Sequence, residues 1–299
     1  MKVGICMKVL NIGSLNIDYV YKVSHIVRGG ETILSDSMQT FCGGKGLNQS
    51  IALAKAGVNV YHAGMIGEEG EMLLDACKKY GVKTDLIKKI KGKSGHTIIQ
   101  VDKNAQNCII LYGGANQMLT RDMIRESISQ FEKGDILLLQ NEVNDLAYII
   151  DTAAEKGLFI VLNPSPFNDK LKKCDLTKIS MFLLNEIEGE QISGESEPEK
   201  ILNVLKEMFP KARIILTLGE RGSIYQDFEQ RMEQGIFPAI AVDTTAAGDT
   251  FTGYFIASMI EGKTPEECLK TASYASSIAV ARMGAVESIP MRDEVMKNN

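Results

Sequence analysis

Along most of this chain, short apolar runs alternate with segments whose apolar residues recur at helical spacing, and that alternation restricts the fold more than any single residue does. Residues 8–13 read as a buried strand, and 46–56 as a helix closed by Gly57. A strand near 59–66 and a helix near 69–80 follow, then a helix after Thr120, a strand at 136–140 and a helix over about 144–156. Strands near 159–162 and 181–184 precede a helix after Pro198 and a strand at 213–218. Two helical patterns, 248–261 and 264–283, fill the last third. Repeated strand-helix units predict a mostly parallel sheet covered on both faces.

Two segments break the rhythm: residues 18–42, and 95–114, where HTIIQVDKNAQNCIILY holds two β runs around the polar turn 102–106. They predict a small antiparallel sheet beside the main one. No linker or repeat separates an independent unit, so the chain of 299 residues is expected to form one domain. Its 33 Lys and Arg against 38 Asp and Glu give a net charge of -5 with no dense basic run, which excludes a nucleic-acid footprint. Six cysteines without a CxxC pair signal neither zinc nor disulfides, and no apolar run approaches the roughly 18 residues of a membrane span. The start MKVGICMKVL carries no signal-peptide pattern, so cytoplasmic residence is expected, with Met7 an alternative start. Lys88, Lys89, Lys91 and Lys93 read as a solvated loop.

The chemistry concentrates in a few places. In VDTTAAGDTFTG, residues 242–253, small residues open a helix whose first amides, with the helix dipole, make an anion site at Ala246, Ala247 and Gly248. Asp249 then projects into the same cleft, where a carboxylate can take a proton from an attacking hydroxyl during phosphoryl transfer. The same acid also suits the first turn of any helix. A second segment, FCGGKGLNQ, opens a helix without the spacing of a Walker A or GxGxxG loop. Asn16 and Asp18 follow the first strand, and Glu142, Asn163 and Asn185 lie beyond later ones. The carboxyl ends of parallel strands are where open α/β sheets bind ligands, although each residue alone also serves as a turn former. The three histidines, His25, His62 and His96, lie in unrelated segments and read as structural or exposed, and the 14 methionines as adaptable core filler.

GGKGLNQ, NEIE, TLGERG and DTTAAGDTF, in this order and spacing, resemble the ribokinase-like (PfkB-type) carbohydrate kinase family from Met7 to about Pro290. The resemblance implies a three-layer sandwich with a mostly parallel central sheet, and a small antiparallel β lid from about residues 18–42 and 95–114. It implies that Asn16, Asp18, Gly44, Lys45, Asn48 and Glu142 hold a sugar, with Asp249 as base and Ala246, Ala247 and Gly248 as anion hole. Asn185 and Glu188 match the element that positions nucleotide phosphates and the Mg²⁺ water shell. Thr217, Leu218, Gly219, Glu220, Arg221 and Gly222 match the loop along the nucleotide, and Gly248 also touches it. Carbonyls at Asp243, Thr245, Ala279, Arg282, Gly284 and Ser288 match the cage of an activating monovalent cation, K⁺.

Three positions depart from the pattern: Ser273 stands where a larger side chain meets adenine, Gly29 replaces proline in the lid, and Leu47 replaces alanine after GGKG. The implied reaction moves the γ-phosphoryl of ATP to the 5-hydroxyl of D-ribose. The alternatives are a kinase of the same fold for deoxyribose, fructose or a nucleoside, and a catalytically silent sugar- or nucleotide-binding protein. A dinucleotide oxidoreductase is excluded by the absence of GxGxxG after the first strand. Exposed apolar residues on the accessory strands, Ile98, Ile109 and Ile110, together with the resemblance, imply a homodimer through the lid.

Overall fold

The computed structural model of the chain describes residues 7–104 and 106–297. The choice between Met1 and Met7 as start concerns residues 1–6 and lies outside the described residues.

In chain order the strands are β1 Val9–Ile12, β2 Asn16–Lys22, β3 Ser37–Gly43, β4 Val60–Ile66, β5 Ile87–Lys89, β6 Gly95–Val101 and β7 Asn107–Tyr112. They continue with β8 Ile136–Gln140, β9 Phe159–Asn163, β10 Met181–Asn185, β11 Arg213–Thr217, β12 Ser223–Gln226 and β13 Arg231–Gln234. The helices are α1 Lys45–Lys55, α2 Glu71–Lys79, α3 Arg121–Ser129, α4 Leu146–Lys156, α5 Glu186–Ser193, α6 Pro198–Met208, α7 Ala247–Ile260, α8 Pro265–Val280 and α9 Arg292–Met296.

The main sheet runs β13-β12-β11-β10-β9-β8-β1-β4-β5, parallel from β11 to β5, with β12 and β13 adding an antiparallel edge. Its strands read as continuous apolar runs because both faces are covered. In β8, Ile136 and Leu138 face one core while Leu137 and Leu139 face the other, as the two-residue period of a strand requires. The first core packs α1, α2, α7 and α8 through residues such as Ile51, Leu73, Tyr254 and Leu269; the second packs α3, α4 and α6 through Ile128, Ile149 and Leu202. Burying one such side chain contributes about 1.5–3 kcal/mol, so Leu138→Ala at the centre of the sheet would open a cavity in the first core. Helix starts follow local chemistry: α8 opens on a Thr264–Glu267 capping box with Pro265 in its first turn, and α6 on Pro198.

The second sheet, β3-β2-β6-β7, is built from the two segments that broke the sequence rhythm. Its outer ladders, β2–β3 and β6–β7, are antiparallel, while β2 and β6 pair in parallel at its centre with Asn16 opposite Gly95 and Asp18 opposite Thr97. The chain crosses from β1 to β2 in the three residues Gly13 to Leu15, and from β3 into α1 through Gly44 alone. Gly44 sits at φ +93, a left-handed backbone that other residues avoid. Both crossings lie at the carboxyl end of β1, whose neighbours β8 and β4 continue the chain in opposite directions across the sheet. That switch point places the second sheet over the ends of the central strands.

Two expectations change. Lys88 and Lys89 belong to the short edge strand β5, paired with β4, where their exposed side chains suit an edge. The segment after the NEIE motif's strand forms a helix of its own, α5, which the sequence pattern did not separate from α6.

Candidate active site

Between the two sheets lies a cleft of about 1220 Å³. Its wall includes Asn16, Asp18, Gly44, Lys45, Asn48, Glu142, Asn185, Glu188, Thr217, Asp243, Thr245, Ala246, Gly248, Asp249 and Gly284, so fifteen of the positions read from sequence converge on one space. The remainder stand behind or beside it. Ala247 is the first residue of α7, and Leu218 and Gly219 to Gly222 form the turn beyond β11, with Arg221 paired to Glu186. Ala279 and Ser288 are buried, and Arg282 pairs with Glu294. Ser273 is buried within α8 and does not line the cleft.

Asp249 is the most constrained group. It lies in the first turn of α7, buried, and both carboxylate oxygens accept hydrogen bonds: Oδ2 from Asn48 Nδ2 at 2.9 Å and Oδ1 from Gln49 Nε2 at 2.8 Å. Gln49 is fixed in turn by Gln140, whose Nε2 donates to Gln49 Oε1 at 2.6 Å and to Asn11 Oδ1 at 3.2 Å. Asn11 Nδ2 donates to Ser50 Oγ and Gly46 O, and Ser50 Oγ donates to His62 Nδ1. His62 is fully buried, and that burial pushes its imidazole down to about 4, so it is neutral and ends the chain at Gly13 O. A line of buried amides therefore runs from the sheet interior to Asp249.

Ala246, the residue before α7, adopts the left-handed conformation at φ 59, a strain tolerated mainly at functional turns. Ala247 N–H already bonds Thr244 O at 3.3 Å, while Gly248, exposed and with open space around its Cα, faces the cleft. The start of α7 thus presents partial positive charge beside the Asp249 carboxylate.

Charges balance within the cleft. Burial opposes the Lys45 ammonium, but the carboxylates of Asp249, Glu142 and Glu188 more than offset it and hold it above the usual lysine value. Burial raises Glu142, against Lys45 and a short hydrogen bond from Ser14 Oγ; its Oε2 also accepts Lys45 N–H at 3.1 Å. Asp18 is pushed up to about 6 by burial, despite accepting from Thr97 Oγ1 at 2.5 Å, and Glu142 adds to the rise.

The residues read as nucleotide and cation positions can be tested against the group each would hold. Glu188 closes a capping box with Asn185 at the start of α5, accepting from Asn185 N and Nδ2, and Asn163 Oδ1 is buried without a hydrogen-bond partner among the described residues. Hard oxygens with spare lone pairs suit a hydrated Mg²⁺. Asp243, despite its burial, is held below the usual carboxylate value by Thr245 and by Gly284, whose N–H it accepts, so one anionic side chain ties together two segments of the expected carbonyl cage.

Several residues of this site escaped the sequence reading. Gln49 lies inside GGKGLNQ, Gln140 ends the apolar strand β8 and Asn116 lies four residues beyond β7, yet nothing in their spacing marks them off from ordinary turn or strand polar residues. Asn163, noted in sequence only as lying beyond a strand, lines the cleft.

A cleft that gathers charged and amide side chains at the carboxyl ends of a parallel sheet, with a buried carboxylate at a helix start and a second sheet above it, suits a group-transfer enzyme acting on small polar molecules. The chain matches the pfkB family carbohydrate kinases over residues 7–292 and belongs to that family. It is a sugar kinase. It is 33% identical over 300 residues to ribokinase of Haemophilus influenzae, covering 96% of each chain, and 32% identical over 288 residues to ribokinase of Bacillus subtilis, covering 95% of this chain and 96% of that one. The structure of Arabidopsis thaliana ribokinase complexed with ribose and ATP superposes with a TM-score of 0.85 at 30% identity, covering 98% of both chains.

Proposed function

We propose that this chain phosphorylates D-ribose on its 5-hydroxyl with ATP, giving D-ribose 5-phosphate and ADP. The observation that carries the reading is Asp249: a buried carboxylate gripped on both oxygens by Asn48 and Gln49, at the start of α7 and within the field of Lys45. Asp249 takes the proton from the hydroxyl as it attacks, and the amides opening α7 hold the transferring phosphoryl. Asn16, Asp18, Lys45, Asn48 and Glu142 bind the sugar hydroxyls, and Asn185, Glu188 and the 217–222 turn hold the nucleotide. Asn185 and Glu188 would hold Mg²⁺ through its water shell, and the ion would supply neutralisation of charge on the nucleotide phosphates. The 243–245 and 279–288 carbonyls would hold K⁺, which would supply positive charge beside the start of α7. The 33% identity to a ribokinase supports ribose over the other sugars.

The second sheet closes over the bound sugar as a lid and excludes water that would otherwise hydrolyse ATP. Its far side carries Ile98, Ile110 and Tyr112, all exposed, and this apolar face supports a homodimer formed lid to lid. Unpaired cysteines at 42, 77, 108, 174 and 268 support residence in the reducing cytoplasm. Among the described residues no helix is long and apolar enough to cross a membrane.

A coupled ADP-release assay across ribose, deoxyribose, fructose and adenosine tests the reading. Ribose is expected to give the highest kcat/KM; turnover of another member of the panel in preference to ribose would overturn the assignment.

A further inference from the structure

After β7 the chain enters the 3₁₀ turn Gly114–Gln117, which is tied to the loop before β6 by the Ala115 N–H bond to Lys93 O at 2.9 Å. Asn116 in this turn is buried, and the orientation of its amide follows from its partners. Its Oδ1 accepts from the Leu15 backbone N–H at 3.0 Å, and a backbone N–H can only donate, so Nδ2 must lie on the opposite side. There Nδ2 donates to Asn16 Oδ1 at 2.7 Å. Asn16 is thereby fixed with its carbonyl end turned inward to Asn116, which leaves its NH₂ end for the cleft that it lines. The pair is closely fitted: a Cβ at Gly95, the residue opposite Asn16 in β6, would lie 2.0 Å from Asn116 Nδ2 and 2.3 Å from Asn16 Oδ1.

An asparagine at a binding position offers a donor or an acceptor according to which way its amide faces, and the two choices select different partners. We infer that Asn116, which touches no reacting atom, is a positioning residue: it locks Asn16 with a donor toward the cleft and so sets which sugar oxygens that residue recognises. The inference rests on the proposed contact between Asn16 and the sugar. The same turn reaches the opposite side of the pocket, where Gln117 Nε2 donates to Glu142 O at 2.8 Å, so one short turn leaving the second sheet braces two positions that face the sugar.

The test is a double-mutant cycle. Asn116→Asp is isosteric and keeps an oxygen for Leu15 N–H, but it places a second acceptor against Asn16 Oδ1 and so drives the Asn16 amide to turn over. The sugar KM is expected to rise by about tenfold or more, because a misplaced hydrogen-bonding group in a buried site discriminates strongly, while the KM for ATP stays within about twofold. In an Asn16→Ala background the same substitution is expected to change the sugar KM by less than about twofold. An equal effect in both backgrounds, or none in the first, overturns the inference.

Wild-type turnover of ribose is read in the same assays, and its absence removes the proposed substrate without touching the cycle, which then uses the preferred panel sugar. Independently of any sugar, the Asn16 side-chain NH₂ resonances, assigned by their loss in Asn16→Ala, are expected to move in Asn116→Asp; unmoved resonances also overturn the inference. If Asn116→Asp does not fold, Asn116→Ser, whose hydroxyl is too short to reach either Leu15 N–H or Asn16, releases the Asn16 amide, and the same cycle applies.

Discussion

Gln49 and Asp249 stand 200 residues apart in the chain, and Gln49 Nε2 donates to Asp249 Oδ1 across 2.8 Å in the buried interior. This bond joins the first helix to the seventh at the point where the proposed chemistry happens. Because a carboxylate only accepts, the contact also fixes the Gln49 amide, and through it the amides of Gln140 and Asn11.

Asp249→Asn should lower turnover by about 10²–10⁴-fold, the usual contribution of a positioned base, while sugar affinity falls much less. Steady-state kinetics with calorimetric sugar titration checks both quantities. Near-normal turnover would remove Asp249 from the base role.

Gln140→Leu leaves Gln49 Oε1 and Asn11 Oδ1 without their donor, and Gln49 becomes free to swing from Asp249. Gln140 Oε1 has no hydrogen-bond partner among the described residues, so its loss costs nothing there. The expected result is a kcat reduced by about tenfold with the sugar KM little changed, and a stability loss of about 1–3 kcal/mol from the two stranded acceptors. A rise in KM at constant kcat would show that the amide line serves binding instead.

Asp18→Asn should stabilise the protein while damaging it as an enzyme. The folded state raises this carboxyl from 3.8 to about 6, so between those values the folded chain holds a proton that the unfolded chain has released. Stability therefore falls as pH rises through that window, and at neutral pH the charged group carries a penalty of at most about 3 kcal/mol. Asparagine keeps an acceptor for Thr97 and removes the charge. Thermal unfolding above pH 6 should show a higher midpoint for the variant, and kinetics a lower kcat/KM for sugar; an unchanged midpoint would contradict the burial argument.

Lys55 gives a pH effect of the opposite sense. Its buried ammonium donates to Val286 O and Ile289 O, each at 2.8 Å, and lies 4.3 Å from the centre of the Tyr80 ring. Burial nevertheless lowers it from 10.5 to about 8. Over that window the unfolded chain holds a proton that the folded chain has lost, so wild-type stability relative to Lys55→Met should rise with pH between 8 and 10.5 and be level below it. Denaturant titrations at the two ends of the window measure the difference, and one that shrinks with pH would refute the assignment.

The sequence by itself determined the layers of this fold and the identity of the groups that face its cleft. Short continuous apolar runs such as Ile136–Gln140 and helical repeats such as α1 are local signals, set by which side chains must leave water, and each appeared where its pattern placed it. Glu142 and Asp249 were legible because several polar residues fall together at strand ends and a helix start, where open α/β sheets bind ligands, and because the motifs around them resemble a family. The parallel pairing of β2 with β6, the helix α5 and the edge strand β5 were not legible, since each depends on a neighbour supplied from elsewhere in the chain. Only the tertiary structure decided which way the amides face. The orientation of Asn16 is imposed by Asn116 and that of Gln49 by Asp249, across separations of 100 and 200 residues, and an amide reads the same in sequence whichever end it presents.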